Sequence, residues 1–264
     1  MQFPAEFPAE FPRPMPFVGD PIAAMFPVGK LGVTVEPYLR HTLSQDTAGA
    51  TPVTAAGDPV GRAFSRFGGG YHPVQAVALA KPLYKIDGDG GAYLEFDASD
   101  DKMATPGVPW GSDEATIIAV VRRRSDATAN IVRHGYNAGA PGWWVGLSDG
   151  ARAPLSGARG TTNALANGPT VASTPAPHMH CIISRIKNGT GMNDLYLGGA
   201  LYASATGQGA GTFGSEAIEI GDWFGANYPA MDLYGLIAVN WLAPLTVADR
   251  AARYMTAMAR KAYA

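Results

Sequence analysis

The sequence is poor in cysteine and in charge. Only one of its 264 residues is a cysteine, Cys181, so no intrachain disulfide can form and core packing must hold the fold. Charged residues make up 16% of the chain and the formal net charge is −2. This balance argues against nucleic acid as a partner, because phosphate binding needs a basic patch. The dense basic run Arg122–Arg124 follows an apolar stretch and is interpreted as a solvated strand end.

Long apolar runs are also missing. No stretch approaches the roughly 18 apolar residues of a membrane span. The first residues lack the basic region followed by an apolar region that marks a secretory signal. We therefore expect a protein that is made in the cytoplasm and does not cross a membrane.

Proline is abundant instead, and it is concentrated at the start of the chain. The motif Phe-Pro-Ala-Glu occurs at residues 3–6 and 7–10 and is followed by Phe11-Pro12. Proline at this density blocks helix and central strand, which predicts an extended, polyproline-like arm. Such an arm cannot bury its own aromatic residues. We expect residues 1–42 to form an anchoring arm and linker whose Phe3, Phe7, Phe11 and Phe17 contact another protein or a neighbouring copy.

From residue 43 to residue 264 the pattern is that of a single all-β domain. Apolar residues alternate with polar ones between turn signals such as Asp87–Gly91 and Asn188–Gly191, which is typical of hairpins in a sandwich or jelly roll. One helix is predicted near the C-terminus, with Thr246 as its N-cap and an apolar face that includes Ala251 and Met255. The predicted strands are His72–Leu79, Ala92–Phe96, Thr116–Arg122, Asn130–His134, Trp143–Ser148, His178–Ile186, Asp194–Tyr202, Ala217–Gly221 and Leu233–Trp241.

The order of several motifs resembles a known family. The segment Tyr93–Lys102 reads YLEFDASDDK, and Ile220-Gly221 is followed by a Gly-x-Ile strand at Gly235–Ile237 and a helix at Leu245–Tyr254. This series resembles the concanavalin A-like, laminin-G-like β-sandwich jelly roll, with Ala98 in place of a glycine usual in that family. The stretch from Gln45 to Gly61 is similar to the preamble of such domains in tailed-phage virion proteins.

The resemblance implies a virion component of a tailed phage or gene transfer agent, made in the bacterial cytoplasm. Such modules serve as head spikes, fibres or decoration subunits and usually lack catalytic activity. It further implies host-surface polysaccharide as a ligand and capsid or tail proteins as partners of the arm. Because symmetric assembly is the norm, we expect a homo-oligomer, a trimer or pentamer.

Three motifs could instead indicate chemistry, and each has a simpler interpretation. Glu95–Asp100 is similar to the signature of jelly-roll endoglucanases, but an odd spacing of five places Asp100 on the other strand face unless a bulge intervenes. Gly146–Gly150 has the form of a nucleophile elbow, yet no helix is predicted after it. His178 and His180 share a strand face, although zinc needs three or four ligands.

We therefore expect no enzyme activity and no cofactor. A calcium site built from Asp97, Asp100, Asp101 and Asp222 is an open alternative, since some laminin-G-like domains bind calcium. No EF-hand sequence is present.

Two aromatic clusters are candidates for glycan binding. Aromatic faces stack on sugar rings while Asp and Asn bind hydroxyl groups, and rim loops commonly carry such residues. The first cluster is Asp222, Trp223, Phe224, Asn227 and Tyr228; the second is Tyr136, Asn137 and Trp143 with Trp144. The sequence favours a non-enzymatic virion protein that binds polysaccharide. A purely architectural cement protein and, less favoured, a glycoside hydrolase remain open.

Overall fold

The fold was analysed in a computed structural model, which describes residues 19–125, 128–135, 140–147, 153–167, 178–222 and 228–259. Phe3, Phe7, Phe11 and Phe17 lie outside these residues, so the role expected for the arm stays a prediction. In the described part of the chain no helix is long and apolar enough to cross a membrane.

Two antiparallel sheets form a sandwich, which confirms the predicted all-β, jelly-roll-like fold with one C-terminal helix. Sheet A has the order β14-β13-β12-β7-β16-β5-β4, with β1 also paired to β16, and sheet B has the order β11-β10-β9-β8-β15-β6. A short β2–β3 ribbon lies beside them. The strands are β1 Gly32–Val35, β2 Leu43–Ser44, β3 Arg62–Ala63, β4 Leu83–Ile86, β5 Ala92–Asp97, β6 Met103–Ala104, β7 Glu114–Arg123, β8 Ala129–His134, β9 Gly142–Leu147, β10 Pro154–Arg159, β11 Asn163–Asn167, β12 His178–Lys187, β13 Met192–Leu197, β14 Ala200–Ala205, β15 Ile218–Ile220 and β16 Ala230–Val239; the helix is α1 Leu245–Met258.

The core follows from the alternation of side chains along the strands. Alternate residues of β7, including Ile117 and Val121, face sheet B and pack with Val132 and Val145. The other residues of β7, such as Ile118, face α1. Because both faces are covered, β7 reads as a nearly continuous apolar run rather than as an alternating one.

A buried polar network joins the two sheets at one place in this core. Ser156 of sheet B lies 2.6 Å, oxygen to oxygen, from the hydroxyl of Ser184 in sheet A, and it donates a hydrogen bond of 2.7 Å to Asn193 Oδ1. The Asn193 amide donates in turn to the Ser156 carbonyl oxygen. All three side chains are fully buried, and their mutual hydrogen bonds offset the cost of removing them from water.

Helix α1 covers the outer face of sheet A, as the amphipathic pattern predicts. Its cap differs from the prediction: Thr246 lies inside the helix, Pro244 precedes the first turn, and no side chain caps it. Ala251 and Met255 are buried as expected. Ala248, Ala252 and Thr256 complete the buried face, and their small side chains let the helix approach the sheet closely.

The segment 19–42 is part of the sandwich, which differs from the expected boundary at residue 43. β1 pairs with Leu236–Val239 of β16, and Ile22 and Met25 are fully buried beneath α1. Arg66 fixes the segment through Glu36, at 2.6 Å, and Asp20, at 2.9 Å. Within the described residues, the packed domain therefore starts near Asp20.

Most predicted strands occur, with two instructive exceptions. The predicted strand Asp194–Tyr202 is a hairpin, β13–β14, because Gly198 and Gly199 adopt positive φ angles of 57° and 87° and reverse the chain. The stretch His72–Leu79 forms only isolated bridges at Val74, since Pro73 lacks a backbone donor.

A buried histidine lies in the aromatic part of the core. The ring of His134 stacks on Trp143, with centroids 5.7 Å apart, and lies 5.0 Å from Trp110. Burial lowers the pKa of His134 to about 4, and the backbone of Val108 and Glu216 offsets this only in part.

We predict that His134 makes the fold sensitive to acid. In the unfolded chain the histidine binds a proton near pH 6.5, while in the folded protein it stays neutral down to about pH 4. The free energy of unfolding therefore falls as the pH drops from 6.5 to 4, and the total loss is about 3 kcal/mol. His134→Phe keeps an aromatic ring and removes this proton uptake. Urea unfolding at pH 7.5 and pH 5 should show a smaller loss in the variant; equal losses in both proteins would contradict the assignment.

Candidate functional site

The candidate site lies at one end of the sandwich, called here the Asp222 end. At this end of the sandwich β5 ends at Asp97 and β15 ends at Ile220, and the strands β6, β8 and β16 begin. Ile220 is paired with both Met103 and Val132, which places the turn at residues 98–102 directly beside Gly221 and Asp222. The sequence stretch that carried the family resemblance and the first glycan cluster are thus neighbours in space.

Two unusual backbone positions hold these turns together. Gly221 has a φ of 75°, and a Cβ there would lie 2.6 Å from the Phe96 ring and 3.0 Å from the Asp101 carbonyl oxygen, so only glycine fits. Ala98 has a φ of 74° and is the one non-glycine residue with positive φ in the described part of the chain. It occupies the position where the sequence resemblance predicts glycine, the residue that adopts positive φ most readily.

Three aspartates form a compact group where β5 ends and the 98–102 turn begins. Carboxylate oxygens of Asp97, Asp100 and Asp101 lie within 4.8 Å of one another. The backbone N–H of Asp97 donates to Asp101 Oδ2 at 2.9 Å, and that of Ser99 donates to Asp97 Oδ1 at 2.8 Å. Burial, helped by the neighbouring carboxylates, raises the pKa of Asp101 to about 7, and the hydrogen bond from the Asp97 N–H opposes this shift.

This group corrects one expectation from the sequence. Strand parity placed Asp100 on the face opposite Glu95, but β5 ends at Asp97 and the following turn brings the Asp100 carboxylate beside that of Asp97. The fourth calcium candidate, Asp222, is not a member of the group and lies near two cations instead.

Asp222 is the centre of a second, mixed-charge group. Its Oδ2 lies 3.7 Å from Lys102 Nζ and 3.9 Å from Arg133 Nη2, and its carbonyl oxygen accepts a hydrogen bond of 3.4 Å from Asn130. Arg133 also forms an ion pair with Glu219. Burial raises the pKa of Glu219, and the Arg133 charge counters the shift.

One aromatic residue completes the described part of the site. Lys102 Nζ lies 5.7 Å from the centre of the Tyr228 ring, within the range of a cation–π contact. Tyr228 is partly exposed. Together, the two groups contain five acidic side chains and two basic ones, a formal net charge of −3. The site thus offers carboxylate acceptors, two cationic donors and one aromatic ring.

The remaining glycan candidates lie either in the core or outside the described residues. Trp143 is fully buried against His134, so the expectation that it could meet a sugar is corrected; Trp144 is 5% exposed, so neither tryptophan of the pair is free. Five candidates lie outside the described residues: Tyr136, Asn137, Trp223, Phe224 and Asn227.

Glu95, the first carboxylate of the motif that is similar to the endoglucanase signature, lies on the outer face of sheet A. Its carboxylate contacts Arg124 at 2.8 Å and Lys85 at 3.5 Å. Arg124 and Arg122 also hold the buried Asp232. This continuous ionic network accounts for Glu95 without a catalytic role.

Packing also accounts for two residues of the histidine motif. Cys181 and His180 are buried, and the cysteine sulphur lies 3.9 Å from the Ala252 carbonyl oxygen under α1. Among the described residues the three aspartates are the only cluster with metal-ligand spacing.

Sequence reasoning missed Lys102, Arg133 and Glu219 as site residues. Arg133 and Glu219 face each other across β8 and β15, and no local motif announces that pairing. Lys102 was visible as the basic residue that ends the acidic turn.

The sequence matches no protein-family model and no curated protein. The fold, however, is similar to solved structures. The binding domain of botulinum neurotoxin serotype D has a TM-score of 0.50 and 10% identity over 69% of this chain and 50% of that one. A second crystal structure, of the receptor binding domain of botulinum neurotoxin D, covers 74% of this chain and 52% of that one, with a TM-score of 0.50 and 8% identity.

A third structure is the serotype D ligand binding domain in complex with N-acetylneuraminic acid, with a TM-score of 0.50 and 9% identity over 65% of this chain and 44% of that one. The similarity shows the fold alone. The chain spans about half the length of these binding domains.

We predict that Asp101 weakens the fold as the pH rises. The pKa of Asp101 is near 7 in the folded state and near 4 in the unfolded state, so between these pH values the folded state binds more protons. The free energy of unfolding therefore decreases as the pH rises from about 4 to about 7. Asp101→Asn should therefore be more stable than the parent protein at pH 8, with a smaller advantage at pH 4.5. Urea unfolding measures both, and the exposed Asp89→Asn is the matched control.

The same variants test the calcium alternative. Calcium at the three aspartates should raise the melting temperature of the parent protein at pH 8 and leave that of Asp101→Asn unchanged.

For the pKa prediction, a stability difference between Asp101→Asn and its parent that does not change with pH would contradict the raised pKa of Asp101.

Proposed function

We propose that this protein is a non-enzymatic carbohydrate-binding module whose Asp222 end binds polysaccharide. The observation that carries the proposal is the juxtaposition of Tyr228 with Lys102, Arg133 and Asp222 on one rim of the sandwich. Carboxylates accept hydrogen bonds from sugar hydroxyls, cationic side chains donate to ring and hydroxyl oxygens, and the tyrosine ring offers a face for stacking.

The charge of the site narrows the ligand class to neutral polysaccharides. Carboxylates outnumber cations in the described site by three, or by two while Asp101 keeps its proton. An acidic sugar would therefore be repelled at distances up to the Debye length, roughly 8–10 Å. The structure with N-acetylneuraminic acid belongs to a similar domain, but more than half of that chain has no counterpart here, so we do not extend its ligand to this protein.

The setting we propose is a virion of a tailed phage or gene transfer agent. This part of the proposal rests on the family resemblance and on the proline-rich arm, which would attach the domain to capsid or tail proteins. The displayed module would then act as a head spike, fibre or decoration subunit, in a trimer or pentamer, and bind polysaccharide on the host surface.

One observation favours a purely architectural subunit as the second candidate. Asp222 is 6% exposed and lies within 4 Å of two cations, which is equally suited to stabilising a rim that contacts only protein. The two functions differ in whether a soluble glycan binds.

Equilibrium binding to a panel of neutral and sialylated polysaccharides tests the proposal. We expect binding to neutral members, reduced at least tenfold by Tyr228→Ala or Trp223→Ala, because each removes a stacking face. Tyr202→Ala, a partly exposed tyrosine in β14 away from the site, is the matched control and should bind normally. No release of oligosaccharide is expected.

The outcomes separate the candidates. Silence across the panel would favour the architectural subunit. Oligosaccharide release that disappears in Glu95→Gln would overturn the non-enzymatic assignment, and preference for sialylated glycans would overturn the argument from charge.

A further inference from the structure

A loop beside the proposed site exposes two apolar side chains. Among the described residues six large apolar side chains are exposed, and two of them, Val77 at 60% and Leu79 at 85%, lie in one loop. The loop starts after Val74, which is bridged to Ala104, and ends with the short 3-10 helix Ala78–Ala80. Single exposed aliphatic residues are common and need no explanation, so the position and the support of this pair decide whether it has a role.

Hydrogen bonds to the backbone of Lys102 fix this loop in place. The Lys102 N–H donates to the Ala80 carbonyl oxygen at 3.2 Å, and the Gln75 side-chain amide donates to the Lys102 carbonyl oxygen at 3.0 Å. The Gln75 side chain also accepts a hydrogen bond of 2.9 Å from the Val77 N–H, and Gln75 is buried. The exposed pair is thus held in position before a ligand arrives, which lowers the entropy cost of binding.

The same contacts place the pair at the Asp222 end. β6 begins at Met103 at this end of the sandwich, so the loop is fixed where the acidic turn 98–102 meets β6. The Leu79 Cα lies at most about 10 Å from the Lys102 nitrogen, because only the 3.2 Å hydrogen bond and one residue separate them. A polysaccharide that occupies the proposed site is therefore within reach of this loop.

We propose that Val77 and Leu79 form an apolar subsite that binds a methyl group of the polysaccharide, carried by a 6-deoxy sugar or by an O-acetyl group. The inference rests on the proposed function and deepens it, since it specifies the ligand class. Sugar hydroxyls bind the polar groups of the Asp222 end, while the methyl group leaves water to contact two aliphatic side chains. Full burial of one such group favours binding roughly fourfold.

Charge favours a neutral sugar over a lipid surface as the occupant. Exposed aliphatic residues on a loop can also enter a membrane, but surfaces with anionic lipids attract segments rich in lysine and arginine. Residues 75–80 contain no charged residue, and residues 97–102 contain three aspartates and one lysine. These carboxylates repel an anionic lipid surface and accept hydrogen bonds from the hydroxyls of a neutral sugar.

Matched glycan pairs test this inference by equilibrium binding. The first pair is an oligosaccharide that carries L-fucose and its analogue with L-galactose, which has a hydroxyl group on C6 where fucose has none. The second pair is an O-acetylated glucomannan before and after alkaline deacetylation. We expect the full-length protein to bind the methyl-bearing member of at least one pair about fourfold more tightly, and the pair that shows this preference identifies the source of the methyl group.

Single variants assign the preference to the loop. Leu79→Ser should abolish it and leave the affinity for the methyl-free member unchanged, and Val77→Thr, which keeps the shape of the side chain, should reduce it. Val28→Ser is the matched control, because it changes a fully exposed aliphatic residue of a different loop, and it should keep the preference. Urea unfolding shows whether each variant is folded.

The outcomes separate this inference from the proposed function. Binding that is weakened by Tyr228→Ala but shows no methyl preference, or a preference that Leu79→Ser does not change, would overturn the inference alone. A preference lost equally in Val28→Ser would do the same. Binding to vesicles of phosphatidylcholine and phosphatidylglycerol that Leu79→Ser abolishes would assign the loop to a membrane instead. No binding to any glycan would overturn both the inference and the proposed function.

Discussion

The whole structure depends on the burial of two strands on both faces. Almost every residue of Glu114–Arg123 and Ala230–Val239 is buried, because sheet B covers one face and α1, with Ile22 and Met25, covers the other. A chain with one cysteine and few charges has no other means of holding a large sheet. The helix and the segment from Asp20 are therefore as necessary to the fold as the strands that they cover.

This central pair also determines where function can be placed. Apolar residues occupy the middle of both strands, and the polar network of Ser156, Ser184 and Asn193 is buried. The polar groups that a ligand could reach are therefore confined to the sandwich ends and to the exposed remainder of sheet A. On sheet A the charges of Arg122, Arg124, Glu95 and Asp232 neutralise one another in a closed network. At the Asp222 end the carboxylates outnumber the cations, which leaves hydrogen-bonding capacity for a ligand.

The sequence was sufficient for the fold class, for most strands and for the C-terminal helix, because these depend on local alternation and turn residues. It could not show that β1 joins β16 or that residues 20–26 lie under α1, since such pairings depend on contacts more than 200 residues apart. The same limit applies to the site. Asp222 and Tyr228 were visible as a polar aromatic loop, but Arg133 enters only through the pairing of β8 with β15. Trp143 was misassigned because an apolar strand with both faces buried gives no alternation from which exposure can be inferred.

The central claim is that polysaccharide binds at the Asp222 end, and hydrogen–deuterium exchange in the presence of a bound neutral polysaccharide tests it most directly. The account predicts that the ligand slows exchange in peptides that contain residues 97–102, 219–222 or 228–229, because these described residues lie at the Asp222 end. Peptides around Gly135 and Pro141, at the opposite end, should be unchanged. Slowed exchange confined to that opposite end, or to the outer face of sheet A, would contradict the account.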